Sequence, residues 1–155
     1  MDKYILAIDQ GTTSTRCMVF DKKANVITSD QMEHRQIYPQ PGWVAHSPVE
    51  IWDRTRSVIR NCLASIEGGS EAIAAIGITN QRETTVLWDK ETGIPLPHAI
   101  VWQDTRTEQI CKALEKDKGQ DFFRSKTGLP ISTYFSAPKI KWVFDFMSNS
   151  CTHIP

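Results

Sequence analysis

No sign of charge dominates this sequence: 18 basic and 18 acidic residues cancel over its 155 positions. That balance removes the electrostatic footprint of a nucleic-acid binder or of a protein drawn to an anionic membrane. No apolar run is long enough to span a bilayer, and no charged-then-apolar leader follows Met1. The expectation is a cytoplasmic protein with no membrane and no nucleic-acid partner. There is no C-x-x-C pair; Cys17, Cys62, Cys111 and Cys151 are scattered, as reduced core thiols of a cytosolic protein would be. His34, His46, His98 and His153 lack metal-ligand spacing. No G-K-[ST] follows any glycine-rich turn, which excludes a Walker loop.

What is present begins at the first buried run. Residues 4–8 read as a central strand, and directly behind it stands Asp9-Gln10-Gly11-Thr12-Thr13-Ser14-Thr15-Arg16. Gly11 can take φ > 0 and let backbone approach a ligand. Successive N–H groups and short hydroxyls in such a turn form a concave cradle for phosphate oxygens. Asp9 could hold Mg²⁺ through its waters, since that ion binds through one or two carboxylates plus substrate phosphates. An ordinary hairpin, rich in Thr from strand preference and in Ser and Gly from turn preference, fits the octapeptide equally.

The rest of the chain reads as an α/β order with a mixed sheet. A second strand lies near 17–20 and a third runs from Val26 to about Gln36. Residues 38–43, Tyr-Pro-Gln-Pro-Gly-Trp, then form a loop. Ser47-Pro48-Val49-Glu50 is a capping box with proline at the first helical position, opening a helix stopped by Gly68-Gly69. A short buried strand follows at 72–78, then strands at 84–88 and 98–102 around a turn at 89–93. Thr105-x-x-Glu108 is a second capping box, opening a helix to about Lys116. A short helix near 120–125 and a helical stretch at 137–146 complete the pattern.

Two further groups carry chemistry. Asn80-Gln81-Arg82-Glu83-Thr84-Thr85 follows the 72–78 strand, at the carboxyl edge where open α/β sheets bind ligands. Arg82 offers a fork of donors and Glu83 a pair of acceptors, which suits the vicinal hydroxyls of an uncharged polyol. A polar loop with a surface ion pair is the plainer reading. Trp102, in Val101-Trp102-Gln103-Asp104-Thr105-Arg106, could wall the C–H face of a polyol, and Tyr134-Phe135 could supply a second wall. Core packing accounts for either residue as well.

Together these segments resemble the FGGY carbohydrate kinases. The hairpin 9–16 is similar to that family's phosphate-binding hairpin. Gly77-Ile78-Thr79-Asn80-Gln81-Arg82-Glu83-Thr84-Thr85, the 101–106 run and Lys126-Thr127-Gly128-Leu129-Pro130-Ile131-Ser132-Thr133-Tyr134-Phe135 look like the glycerol-kinase branch of the family. The likeness covers residues 4 to about 142.

The resemblance implies an α/β, ribonuclease-H-like fold of the actin, sugar-kinase and heat-shock ATPase superfamily, with a mixed sheet flanked by helices. It implies ATP-dependent phosphorylation of glycerol to sn-glycerol 3-phosphate, with ATP and Mg²⁺ required and homo-oligomers expected of the full-length protein. Thr12, Thr13, Ser14 and Arg16 would contact nucleotide phosphates and Asp9 would help place Mg²⁺. Arg82, Glu83, Trp102 and Tyr134 would hold glycerol.

The family's chain is several times longer, so residues 1–155 are expected to be a truncated N-terminal domain with an atypical tail at 147–155 and no C-terminal nucleotide-binding domain. The family's catalytic Asp lies beyond residue 155. None of Asp104, Asp117, Asp121 or Asp145 sits in its motif. A general base contributes about 10²–10⁴-fold, so no appreciable turnover is expected of this chain alone. The alternatives are a kinase for another polyol or a pentulose, and a non-catalytic fragment that binds glycerol or competes for assembly. A missing second domain should leave apolar surface exposed.

Overall fold

Alternation along the first strands decides the first sheet. In β1 (Tyr4–Gln10) Leu6 and Ile8 are buried while Ile5 and Asp9 are exposed. In β2 (Ser14–Phe20) Thr15, Cys17 and Val19 are buried on the same side, because β2 pairs antiparallel with β1 in the register Ile8 to Cys17. β3 (Val26–Glu33) pairs antiparallel with β2, and β5 (Ile73–Thr79) runs parallel to β1. The order is β3-β2-β1-β5, a mixed sheet with β1 central as expected. Against it α1 (Pro48–Ala64) places Val58 and Cys62, closing an apolar core with Leu6, Ile8, Cys17 and Val19.

The computed structural model describes residues 3–96 and 98–149 and divides into two units. The sheet and nearly all of α1 form unit 1, residues 1–35 and 49–81. Unit 2 comprises residues 36–48 and 82–155. It holds the two-stranded pair β4 (Ala45–His46) and β6 (Ala99–Ile100), with the helices α2 (Glu108–Lys118), α3 (Arg124–Thr127) and α4 (Ser136–Asn149).

Several expectations change. The strand at 72–78 is β5, shifted by one residue and not buried: Ile76 is 60% and Ile78 71% exposed. β5 has one strand neighbour, β1, and no described residue pairs its other edge or covers those side chains. β3 stops at Glu33. The strand at 84–88 is reduced to single bridges from Thr85 to Ile100 and from Trp88 to Pro95, and the strand at 98–102 to two residues. α1 does begin at Pro48 but ends at Ala64, before the glycines, and a 3-10 turn (Gly69–Ala72) follows.

The capping box at Thr105 does not form. α2 begins at Glu108, after Thr107, whose side chain makes no cap bond, and it reaches Lys118. The Thr105 hydroxyl donates instead to the Gly42 carbonyl at 3.1 Å. Gly42 stands at φ 80°, and a Cβ there would lie 2.5 Å from the Thr105 hydroxyl, so the loop at 38–43 needs this glycine. The short helix is α3, four residues beginning at Arg124. α4 starts one residue before the expected stretch and runs three beyond it. Most of the tail 147–155, with Cys151 and His153, lies outside the described residues.

Candidate functional site

Unit 1 carries the hairpin. β1 and β5 run parallel with Asp9 beside Thr79, so both carboxyl ends finish together at the edge where α/β sheets bind ligands. Asp9 is exposed, and no hydrogen bond or ion pair engages its carboxylate among the described residues. Although Asp9 and Arg16 stand in register across β1 and β2, Arg16 turns to β3, where its Nε and Nη2 donate to Gln31 Oε1 at 2.9 and 2.6 Å. Gln31 Nε2 in turn donates to Ser14 Oγ at 2.8 Å. Ser14 thereby accepts one hydrogen bond and keeps its O–H as a donor.

The turn itself is organised by its acceptors. The Gly11 N–H donates to the Ser14 carbonyl at 2.9 Å. The His34 backbone N–H donates to the Thr13 carbonyl at 3.1 Å, and His34 Nε2 lies 2.9 Å from the Thr12 carbonyl. A carbonyl can only accept, so that ring nitrogen carries the proton. All three carbonyls between Thr12 and Ser14 are thus tied to protein donors. The donors of exposed Thr13 and the Ser14 hydroxyl fit a phosphate group. Thr13 is exposed. Of the four hydroxyl residues Thr15 turns inward, fully buried, donating to Gln10 Oε1 at 2.6 Å. Gly11 does not use the positive φ expected of it; its lack of a side chain matters because a Cβ would lie 3.1 Å from the Ser14 carbonyl. His34 and Gln31 were invisible as site residues in the sequence, since neither lies in a motif and both act through strand register.

For Mg²⁺ the donor set is one exposed carboxylate, Asp9, and no group of three potential ligands occurs among the described residues. One carboxylate plus phosphates and waters is a set this ion accepts.

Unit 2 carries the second group. Glu83 does not pair with neighbouring Arg82, which removes the surface ion-pair reading. Its Oε2 accepts the Ser136 N–H and the Ser136 hydroxyl, both at 2.8 Å, at the start of α4. Glu83 also adopts φ 62°, a left-handed backbone that a non-glycine residue holds only when its surroundings enforce it. Arg82 is exposed, and no hydrogen bond or ion pair engages its guanidinium among the described residues. Trp102 and Tyr134, distant in sequence, meet with ring centroids 5.5 Å apart and planes tilted by 58°. Tyr134 packs edge-on against Phe135 at 5.2 Å and remains 40% exposed. Three of the four expected polyol residues are therefore tied to one helix start and one ring pair, and Arg82 adjoins Glu83 in the chain.

Asp104 belongs to the support of this unit. Fully buried, it accepts Arg106 Nε at 2.9 Å, Arg106 Nη2 at 2.7 Å and the Val44 N–H at 2.7 Å. The Arg106 guanidinium lies 3.9 Å from the Trp43 ring and 4.9 Å from the Trp142 ring. An Asp committed in this way is not an accessible base. Lys139, also fully buried, is held below its ordinary proton affinity mainly by burial, against the pull of Asp104 and Glu83.

Comparison with known proteins bears on both groups. The family model described as "FGGY family of carbohydrate kinases, N-terminal domain" matches residues 4–154. The chain is 65% identical over 147 residues to glycerol kinase of Chloroflexus aggregans (strain MD-66 / DSM 9485), covering 94% of this chain and 29% of that protein. It is 61% identical over 145 residues to glycerol kinase of Roseiflexus sp. (strain RS-1), with the same coverage. Among solved structures, Plasmodium falciparum glycerol kinase with ADP superposes with TM-score 0.86 at 36% identity, over 97% of this chain and 29% of that one. Gluconate kinase from Lactobacillus acidophilus superposes with TM-score 0.87 at 23% identity, over 96% and 30%, a likeness of fold alone. The chain thus spans about 29% of the length of the curated relatives it matches. The expected sugar-kinase fold, a mixed sheet flanked by helices, is the one it has, in part.

Proposed function

The chain belongs to the FGGY family of carbohydrate kinases, and from that premise we propose that its residues serve the ATP-dependent phosphorylation of glycerol to sn-glycerol 3-phosphate. Such a reaction is mostly positioning and charge stabilisation: a terminal hydroxyl oxygen bonds to the γ-phosphorus, the bond to the ADP oxygen breaks, and the hydroxyl proton passes to a base. None of the residues discussed supplies that base; Asp104 is spent on Arg106 and Val44.

In unit 1 the hydroxyls of Thr12, Thr13 and Ser14 and the guanidinium of Arg16 donate to phosphate oxygens. Gln31 and His34 hold the turn so that donors remain. Asp9 would hold a hydrated Mg²⁺, which when bound supplies charge neutralisation on the phosphates. In unit 2 Arg82 donates to hydroxyl oxygens, Glu83 accepts hydroxyl protons, and the rings of Trp102 and Tyr134 meet the C–H face of the polyol.

The observation that carries this reading is the arrangement in unit 2 of a ring pair, Trp102 with Tyr134, and a carboxylate clamped at one oxygen only. The identity to proteins named glycerol kinase supports glycerol over a pentulose or gluconate. The test is a chimaera in which this chain replaces the matching 29% of the Chloroflexus aggregans protein, assayed with ATP, Mg²⁺ and a panel of glycerol, xylulose and gluconate. Turnover of glycerol, cut at least about tenfold in kcat/KM by Arg82→Ala, is expected, the loss of about one charge-assisted interaction. Preference for xylulose or gluconate would overturn it.

A further inference from the structure

The first turn of α4 carries two polar groups that no sequence motif singled out. Ser136, its first residue, gives both of its donors to one oxygen of Glu83, at 2.8 Å each. Glu83 Oε1 accepts nothing among the described residues. The carboxylate is therefore fixed in direction and half committed. Its backbone, at φ 62°, costs free energy that an unconstrained surface loop would relax.

Lys139 lies three residues further along the helix. Its ammonium is fully buried and gives its three donors to three successive carbonyls: Thr133 at 2.7 Å, Tyr134 at 2.7 Å and Phe135 at 3.2 Å. Burying an ammonium is expensive unless it is paired and saturated with hydrogen bonds. The charged groups facing it are Glu83 and Asp104, which favour its charge, and Arg106, which opposes it; the Cys111 thiol also faces it. A leucine or methionine would fill the same space more cheaply. What the lysine adds is a rigid backbone at 133–135, the segment that presents Tyr134 to Trp102.

We propose that Ser136 and Lys139 are positioning residues of the polyol site. Ser136 aims the Glu83 carboxylate so that Oε1 faces a substrate hydroxyl, and Lys139 holds the Tyr134 ring against Trp102. The assignment rests on the polyol reading above.

The experiment uses the full 155-residue chain with two readouts. Glycerol affinity is measured by calorimetry, and the Trp102–Tyr134 ring contact by proton cross-relaxation without ligand. Ser136→Ala should weaken glycerol binding about tenfold, the loss expected for one hydrogen bond to a charged group, and leave the ring contact in place. Ser136→Thr, which keeps the hydroxyl, should bind within about threefold of wild type. Lys139→Met should weaken binding and abolish the ring contact, and Lys139→Arg should restore part of both. If Lys139→Met does not fold, the Ser136 pair still decides. Wild-type binding that is unchanged in Ser136→Ala overturns the assignment alone. No glycerol binding by the wild-type chain overturns the polyol reading and the assignment with it.

Discussion

Unit 1 closes a four-stranded sheet on α1 with Leu6, Ile8, Cys17, Val19, Val58 and Cys62 and buries no charged side chain among its described residues, whereas unit 2, besides apolar residues such as Ile100 and Val101, buries the charged Asp104 and Lys139 beside a two-stranded pair. The difference follows from secondary structure. A sheet ladder satisfies its own backbone, so unit 1 can fill its interior with apolar side chains, and its site residues lie where strand register puts them. Unit 2 has long loops and little ladder. Buried charges must supply the hydrogen bonds that strands do not, and its candidate residues are held by side chains: Glu83 by Ser136, and the backbone of Tyr134 by Lys139.

Removing a charge from unit 2 should therefore cost more than trimming the core of unit 1. Asp104→Ala removes the only anion that pairs with Arg106 among the described residues, and the Arg106 side chain is only 6% exposed. Loss of one partner from a buried pair costs about 3–5 kcal/mol. Urea unfolding followed by the fluorescence of Trp43 and Trp142, the rings against Arg106, reads this. A change under about 1 kcal/mol would mean that the pair behaves as a solvated surface bridge and the contrast between units is false.

The next effect lies in unit 1, at the buried ring of His34. Burial holds the His34 imidazole below its usual proton affinity. The folded state thus binds fewer protons there than the unfolded chain, whose histidine titrates near about 6.5. Stability from this group is present above that pH and is lost as pH falls through the lower folded value. His34→Ala should flatten that acid limb and, by removing the hydrogen bond to the Thr12 carbonyl together with the packing of a buried ring, cost about 1–3 kcal/mol at neutral pH. An unchanged pH profile would show that the ring does not hold the turn.

The contrast between units also explains what could be read from sequence. β1, β2 and α1 were legible because period-2 and period-3.6 patterns and the Ser47-Pro48 start are local signals. The Gly77–Thr85 and Lys126–Phe135 runs were legible as motifs. Burial of β5 was not, because Ile73, Ile76 and Ile78 read as core whether or not another element covers them. Thr105 looked like a cap because T-x-x-E is a local pattern, but the Gly42 carbonyl 63 residues away claims its hydroxyl. Ser136, Lys139, Gln31 and His34 were silent because their partners are set by register and loop closure.

A milder probe of the unit 1 core sharpens the comparison from the apolar side. Ile8→Val removes one methylene from the seam between β1 and α1 and should cost about 0.5–1.5 kcal/mol, less than either polar change. Urea unfolding monitored by the amide exchange of β1 gives the number. A loss above about 3 kcal/mol would place the more brittle interior in unit 1.

The effect that is smallest near neutral pH is one of pH rather than of mutation. Burial is the main cause that pushes the Cys17 thiol up to about 12, with Cys62 and the charge of Asp30 acting in the same direction. In the unfolded chain a cysteine ionises near about 8.5. Between those two values the unfolded state sheds a proton that the folded state keeps, so raising the pH favours unfolding. Unit 1 should accordingly lose stability gradually above about pH 8.5, and Cys17→Ser, once its own offset is subtracted, should lose less of it over the same range. The same burial predicts that Cys17 resists alkylation at pH 8 in the native chain and reacts readily in urea, since the thiolate is the nucleophile. Peptide mapping after a timed iodoacetamide pulse distinguishes the two states. Native labelling at the unfolded rate would mean that the seam between β2 and α1 opens freely, and that unit 1 is not the stiff apolar half of the comparison.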